Sequence, residues 1–328
     1  MKVCIVGAGA IGSWIGTRLA AAGVQVSAIA RGDTLVALRE HGWRMHTAEG
    51  LVTGPLAAAS DSAADLGVHD LVVVAVKGPA LASAAAGLQP LFGTHTVVLP
   101  AMNGVPWWFC NGLPGFDEPL QSVDPGGLIA RAIPIERVMG CVVHAATTTT
   151  APGVVRHKGG NGLIVGDAGG GRSDRSRRVV ELLSRGGFDV THADDVRQPI
   201  WYKLWGNLTM NPVSALTGAT IDQILADPLV RGYCSQAMLE AQAIGARVGC
   251  AIDESPEMRH AVTAKLGAFK TSMLQDAEAG RTIELDAIVG AVSEIGGRLG
   301  VPMPNIDALL GLTRLMARVR GLYPDATV

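Results

Sequence analysis

Four residues, Val3-Cys4-Ile5-Val6, run directly into Gly7-Ala8-Gly9-Ala10-Ile11-Gly12, and the residues from Ser13 onward have the small and apolar character of a helix. Strand, glycine turn and helix in that order are the context in which a G-x-G-x-x-G spacing means a dinucleotide site. The first glycine permits the tight turn, the second lets a pyrophosphate approach the backbone, and the third lets helix and strand pack closely. The phosphates would lie on the helix N-terminus, where unpaired amides and the dipole favour an anion. The alternative, a glycine-rich turn in some other α/β protein, keeps the fold class and drops the ligand.

Further apolar runs at 24–30, 71–76 and 96–99 read as strands. The first of these ends at Arg31. An NAD site usually has an acidic residue there for the ribose hydroxyls, whereas a base suits a 2′-phosphate, so Arg31 argues for NADP over a plain exposed strand end. Lys77 closes the next strand and so points at the crevice where parallel sheets bind ligands. The last run leads into Asn103-Gly104, which reads equally as a turn and as a side chain facing a nicotinamide. Between 105 and 137 no periodicity persists: Trp107, Trp108 and Phe109 are followed by several Pro and Gly. Long irregular connections of this kind are more often functional than idle. Strand signals return at 139–144, 147–150, 154–157, 163–165 and 188–191, with Pro152-Gly153 as a turn and a helix at 174–184.

From about Val196 only helical patterns remain, at 199–215, 221–226, 228–248, 256–279, 282–299 and 306–319. Gly249, Gly280 and Gly300 stand where C-caps are expected and Thr282 where an N-cap is. Glu284 then falls in the first turn of its helix, a place the dipole alone would favour for a carboxylate. In the first of these helices Lys203, Asn207 and Asn211 share one face, surrounded by Trp201, Leu204, Trp205, Leu208 and Met210. An ammonium and two carboxamides beside so much apolar surface must reach water or a partner, because burying them unpaired costs several kcal/mol. The expected fold is α/β, with a Rossmann-type NADP-binding domain over 1–195 and an all-helical substrate and catalytic domain over 196–328.

Composition narrows the function classes. At 48% hydrophobic and 17% charged residues, the chain can build a large core and is not disordered. A net charge of −2 carries no signature of a nucleic-acid or anionic-membrane partner. The five scattered cysteines form no C-x-x-C pair and have no His at metal spacing, so they read as reduced thiols and no metal is expected. The N-terminus shows no secretory pattern and no apolar run is long enough to span a bilayer, so the expected location is cytoplasmic.

Taken together, Gly7-x-Gly9-x-x-Gly12, Arg31, Lys77, Asn103-Gly104, Met139-Gly140 with His144-Ala145-Ala146, Lys203-x3-Asn207-x3-Asn211-Pro212 and Ser272-Met-Leu-Gln-Asp276 with Glu284 run in order from end to end. This set resembles the ketopantoate reductase (2-dehydropantoate 2-reductase) family. The resemblance implies reduction of 2-dehydropantoate to pantoate with NADPH, on the route to pantothenate. It makes Lys203 the proton donor and Glu284 its catalytic companion, with Asn207, Asn211, Ser272 and Asn103 holding the substrate. Cofactor contacts are then expected from Gly7, Ala8, Gly9, Ala10, Ile11, Gly12, Arg31, Lys77, Asn103, Ala146 and Glu284. The chain departs from the family at Met102, where a polar residue is common, and in the longer aromatic 105–137 connection. From that connection comes the expectation that Trp107, Trp108 and Phe109 reshape the pocket for a bulkier 2-oxo acid, set against simple packing on the protein or a second subunit. A non-catalytic NADP-binding or sensing protein is the reading from another class, and a homodimer is possible.

Overall fold

The computed structural model describes residues 1–323. Val3, Cys4 and Ile5 have no solvent exposure, because β1 (Lys2–Val6) is the middle strand of a five-stranded parallel sheet. Helix α1 (Ala10–Ala21) follows, then β2 (Gln25–Ile29) beside β1, α2 (Gly32–His41), and a hairpin of β3 (Trp43–Thr47) and β4 (Gly50–Gly54). The short β5 (Ala59–Ser60) pairs β2, and β6 (His69–Val74), α3 (Gly78–Ala86) and β7 (Phe92–Pro100) complete the sheet in the order β5-β2-β1-β6-β7. After α4 (Leu128–Ala132), the long strands β8 (Met139–Ala151) and β9 (Val154–Asp167) form an antiparallel pair, followed by α5 (Asp174–Arg185) and β10 (Asp189–His192). These make a second sheet, β10-β9-β3-β4, with β8 on β9.

The remaining elements are helices: α6 (Arg197–Thr217), α7 (Ile221–Ala226), α8 (Pro228–Arg247), α9 (Pro256–Ala264), α10 (Ser272–Glu278), a π-helical turn at Asp286–Gly290 that continues as α11 (Ala291–Leu299), and α12 (Pro304–Val319). The chain divides into two compact units, Met1–Met102 with Leu128–Arg197, and Asn103–Gly127 with the residues from Gln198 onward. The irregular segment Asn103–Gly127 therefore belongs with the helices.

Several expectations need correcting. The β segments read separately at 139–144, 147–150, 154–157 and 163–165 are two continuous strands. Their polar and glycine residues hide the continuity, and Gly160, at φ +72° beneath the His144 carbonyl, kinks the pair. The β3–β4 hairpin went unread although Trp43–Thr47 alternates, because its partner Gly50–Gly54 is glycine-bounded and largely exposed; β3 also pairs with β9, more than a hundred residues further along the sequence. The helix expected over 256–279 is broken: Gly267 takes φ +62°, and Thr271 starts α10 by accepting a hydrogen bond from the Leu274 amide at 3.2 Å. Thr282 is not an N-cap, and Glu284 precedes its helix instead of lying in the first turn. The helical backbone begins only at Leu285, and the Ile283 amide donates to the Leu322 carbonyl at 3.0 Å.

Trp107, Trp108 and Phe109 are buried, at 6%, 3% and 0% exposure, and Phe109 stacks on Trp201 at 5.6 Å. The aromatic run thus serves as core of the helical unit, which accounts for its residue types without a pocket. The rest of the segment is stapled to α11. The Glu294 carboxylate accepts from the amides of Gln121 and Ser122 at 2.9 and 2.8 Å and from Ser122 Oγ at 2.7 Å, while Arg298 donates to the carbonyls of Glu118 and Pro119. Among the described residues no helix is long and apolar enough to cross a membrane, and no three His, Cys, Asp or Glu side chains are grouped to hold a metal ion. All five cysteines are buried.

Candidate active site

In the first unit a cleft of about 550 Å³ opens beside the glycine turn, with Gly7, Ala8, Gly9, Ala30, Arg31 and Val76 among its lining residues. Each glycine is there for a different reason. Gly7 sits at φ +92°, where a side chain would be strained and would press on Val76. A Cβ on Gly12 would lie 2.0 Å from the Gly7 carbonyl oxygen, so only glycine lets α1 pack against the turn. Gly9 has ordinary backbone angles and nothing within 4 Å of where its Cβ would be. Neither strain nor protein packing demands glycine at that position, and the open space there leaves room for a ligand to approach the backbone. The first turn of α1 has no side-chain cap and no acidic residue, leaving its amides to an anion. This turn fits the pyrophosphate of a dinucleotide.

Arg31 lines the same cleft from the N-cap position of α2, exposed, with Thr34 one turn on. Ile11 packs on the core of the unit, and Ala10, Gly12 and Lys77 are not among the cleft-lining residues; Lys77 stands exposed at the start of α3, directly after Val76. Ala146 lies on β8 paired with Gly159, while Thr149 on the same strand reaches the cleft. Asp61, Ser62 and Ser83 also line it. No spacing rule singles these out, since they come from loops and a helix face shaped by the fold.

The second unit gathers the other set. Lys203 and Asn207 are half-buried on α6 and Asn211 is 5% exposed, while Trp201, Leu204, Trp205 and Leu208 are buried and anchor the helix. Trp205 Nε1 donates to the Met238 carbonyl on α8 at 2.8 Å, which fixes the rotation of α6. With α6 held so, Lys203 Nζ donates to Asn103 Oδ1 at 2.6 Å. Asn103 is itself placed by its neighbours. Gly104 takes φ +85° with no room for a Cβ beside Ala287, whose carbonyl accepts the Val105 amide at 2.7 Å. Asn103-Gly104 is thus a turn and also a supplier of a polar side chain, so the two readings of the pair are compatible.

Ser272 is the exposed first residue of α10, next to the N-cap Thr271. Thr271 Oγ1 and Ser214 Oγ are 2.5 Å apart, a bond that ties the start of α10 to α6 three residues beyond Asn211. Arg281 pairs with Asp276 at 2.9 Å and closes α10 at its other end. Sequence reasoning missed Ser214, whose type and spacing carry no sign of a buried partner. Glu284 is half-buried, two residues before the π-helical turn on which Gly104 rests. A half-buried ammonium aimed by a carboxamide oxygen can deliver a proton, and residue types such as Asn207, Asn211 and Ser272 can hold a polar substrate without adding charge.

Two family models match the chain in succession. The family model described as ketopantoate reductase PanE/ApbA matches residues 3–170, and that described as ketopantoate reductase PanE/ApbA C terminal matches residues 195–317. The chain is 43% identical over 326 residues to a 2-dehydropantoate 2-reductase of Mesorhizobium japonicum, covering 98% of this chain and 100% of the relative. Among solved structures, a PanE/ApbA family ketopantoate reductase from Ralstonia eutropha JMP134 is 27% identical with a TM-score of 0.84, over 98% of this chain and 100% of the other. A D-mandelate dehydrogenase solved with NADH and anilino(oxo)acetate, at 22% identity and TM-score 0.84 over 98% of this chain and 100% of that one, shares the fold. The chain belongs to the ketopantoate reductase PanE/ApbA family.

Proposed function

We propose that this protein reduces 2-dehydropantoate to pantoate with NADPH, a step toward pantothenate. The observation that carries the reading is the 2.6 Å bond from Lys203 Nζ to Asn103 Oδ1 in a chain that matches the family over both of its models. The glycine turn and Arg31 would hold the dinucleotide, Arg31 at the 2′-phosphate, with Lys77 and Ala146 assigned to it by the family pattern. The bound nicotinamide supplies a hydride to the substrate's carbonyl carbon. Negative charge then grows on the carbonyl oxygen, where the Lys203 ammonium stabilises it and gives up its proton. Asn103 keeps that ammonium aimed, while Asn207, Asn211 and Ser272 donate to the carboxylate and hydroxyl of the acid. Glu284 orients Lys203 or accepts from the substrate hydroxyl.

The burial of Trp107, Trp108 and Phe109 takes away the support for a bulkier acid. Five buried thiols support a reducing compartment. A pair of copies belongs to the same reading through the exposed apolar residues Leu312, Leu315 and Val319 of α12, and sedimentation velocity tests it. The decisive experiment follows NADPH absorbance with the purified protein and 2-dehydropantoate beside other branched 2-oxo acids. Preference for 2-dehydropantoate is expected; turnover of another acid alone would reassign the substrate, and binding of NADPH with no turnover at all would leave a sensor.

A further inference from the structure

Residues 283–287 make three hydrogen bonds with distant parts of the helical unit. The Ile283 amide donates to the Leu322 carbonyl at 3.0 Å, Tyr323 Oη donates to Asp286 Oδ1 at 2.5 Å, and the Val105 amide donates to the Ala287 carbonyl at 2.7 Å. Glu284 lies between the first two of these points, and the third seats the turn whose Asn103 holds Lys203. The same stretch opens the π-helical turn Asp286–Gly290. A π-turn is rarer and less well bonded than an α-turn and persists only where its surroundings impose it. Relaxing it to α-helix would slip the preceding residues by one position, about 100° around the axis and about 1.5 Å along it. Both Glu284 and the Ala287 carbonyl would then move. Asp286 is where the surroundings act: burial raises its carboxyl above the usual range, against the hydrogen bond from Tyr323, which lowers it.

We infer that the Tyr323–Asp286 hydrogen bond is a positioning device for the reaction, locking the π-turn that presents Glu284 and seats the Asn103 acceptor of Lys203. Neither residue touches the reacting atoms; both act through the backbone of residues 283–287. The inference rests on the reductase reading above and adds to it the chain's last described residue, Tyr323.

The test compares full-length protein with Tyr323→Phe, Asp286→Asn and Lys203→Ala. Two readouts are taken: steady-state kinetics with NADPH and 2-dehydropantoate, and amide hydrogen exchange of the peptide that contains Val105. Tyr323→Phe, which keeps the ring and removes the donor, should lower kcat roughly tenfold while leaving KM for NADPH within about twofold. It should also speed exchange at Val105. Asp286→Asn retains an acceptor oxygen at the same place and should keep kcat within about threefold of the parent. A Tyr323→Phe protein with parental kcat, or with unchanged exchange at Val105, overturns the inference. If Lys203→Ala is inactive while Tyr323→Phe is unaffected, the positioning claim falls and the reductase reading stands. A parent that turns over no 2-oxo acid sinks the reductase reading, and the exchange readout alone then decides whether the π-turn is held by this bond.

Discussion

Lys203 and Asn103, a hundred positions apart in the chain, meet at 2.6 Å, with the ammonium donating to the carboxamide oxygen. The carboxamide oxygen fixes the direction in which the ammonium points, and a lysine can pass its proton to an oxygen that gains charge beside it. Lys203→Ala should lower kcat by about a thousandfold while the NADPH dissociation constant, measured by fluorescence titration, stays within about twofold. Equal losses in both quantities would remove Lys203 from the chemical step.

Arg31 stands exposed in the cleft beside the glycine turn and, in the proposed function, takes the 2′-phosphate that distinguishes NADPH from NADH. Arg31→Ala should weaken NADPH binding by about ten- to a hundredfold and NADH binding by less than about threefold. Parallel titrations of the two nucleotides check this, and equal losses would refute the phosphate contact.

Gly104 takes φ +85°, and an added Cβ would lie 2.3 Å from the Ala287 carbonyl oxygen, a backbone atom that has little room to yield. Gly104→Ala should therefore cost about 2–4 kcal/mol in urea unfolding and also lower kcat, because the turn that carries Asn103 must shift. Loss of stability with an unchanged kcat would separate Asn103 from catalysis.

Burial works to raise the Glu294 carboxyl, but hydrogen bonds from Ser122, from the Gln121 amide and from Arg298 outweigh it, and the group lies below the usual glutamate range. A depressed acid contributes stability above its unfolded value, about 4.3, and loses that contribution as pH falls through the folded value. Glu294→Gln should thus cost about 1–3 kcal/mol at pH 7, a difference that shrinks as pH is lowered below about 4. Urea midpoints for the two proteins across that range provide the measurement.

How much of this was legible in the sequence depended on whether a residue's partner was local. The glycine turn could be read because strand, turn and helix are contiguous, and the stripe of Lys203, Asn207 and Asn211 because a single helix sets its spacing. The β3 hairpin was harder, since the exposed, glycine-bounded β4 carries little strand signal and the other partner, β9, lies far along the chain. The start of the helix after Glu284 was misplaced because local propensity favours a cap at Thr282, whereas the chain there is tied by the Ile283 amide to the distant Leu322 carbonyl, a partner no local pattern announces. Ser214 and Thr271 escaped notice because two hydroxyls 57 residues apart give no signal until the fold pairs them.

Asn103–Gly127 is an insert that the helical unit borrows from the middle of the first, with Phe109 filling the place beside Trp201. A gene fragment encoding only the residues from 198 onward would therefore fold, if at all, around a missing wedge. Its lysine would lack the oxygen that aims it, and its α11 would lack the loop that Glu294 grips. Inheritance of the two halves is for this reason tied: recombination that splits the chain near residue 197 severs the lysine from its aiming residue.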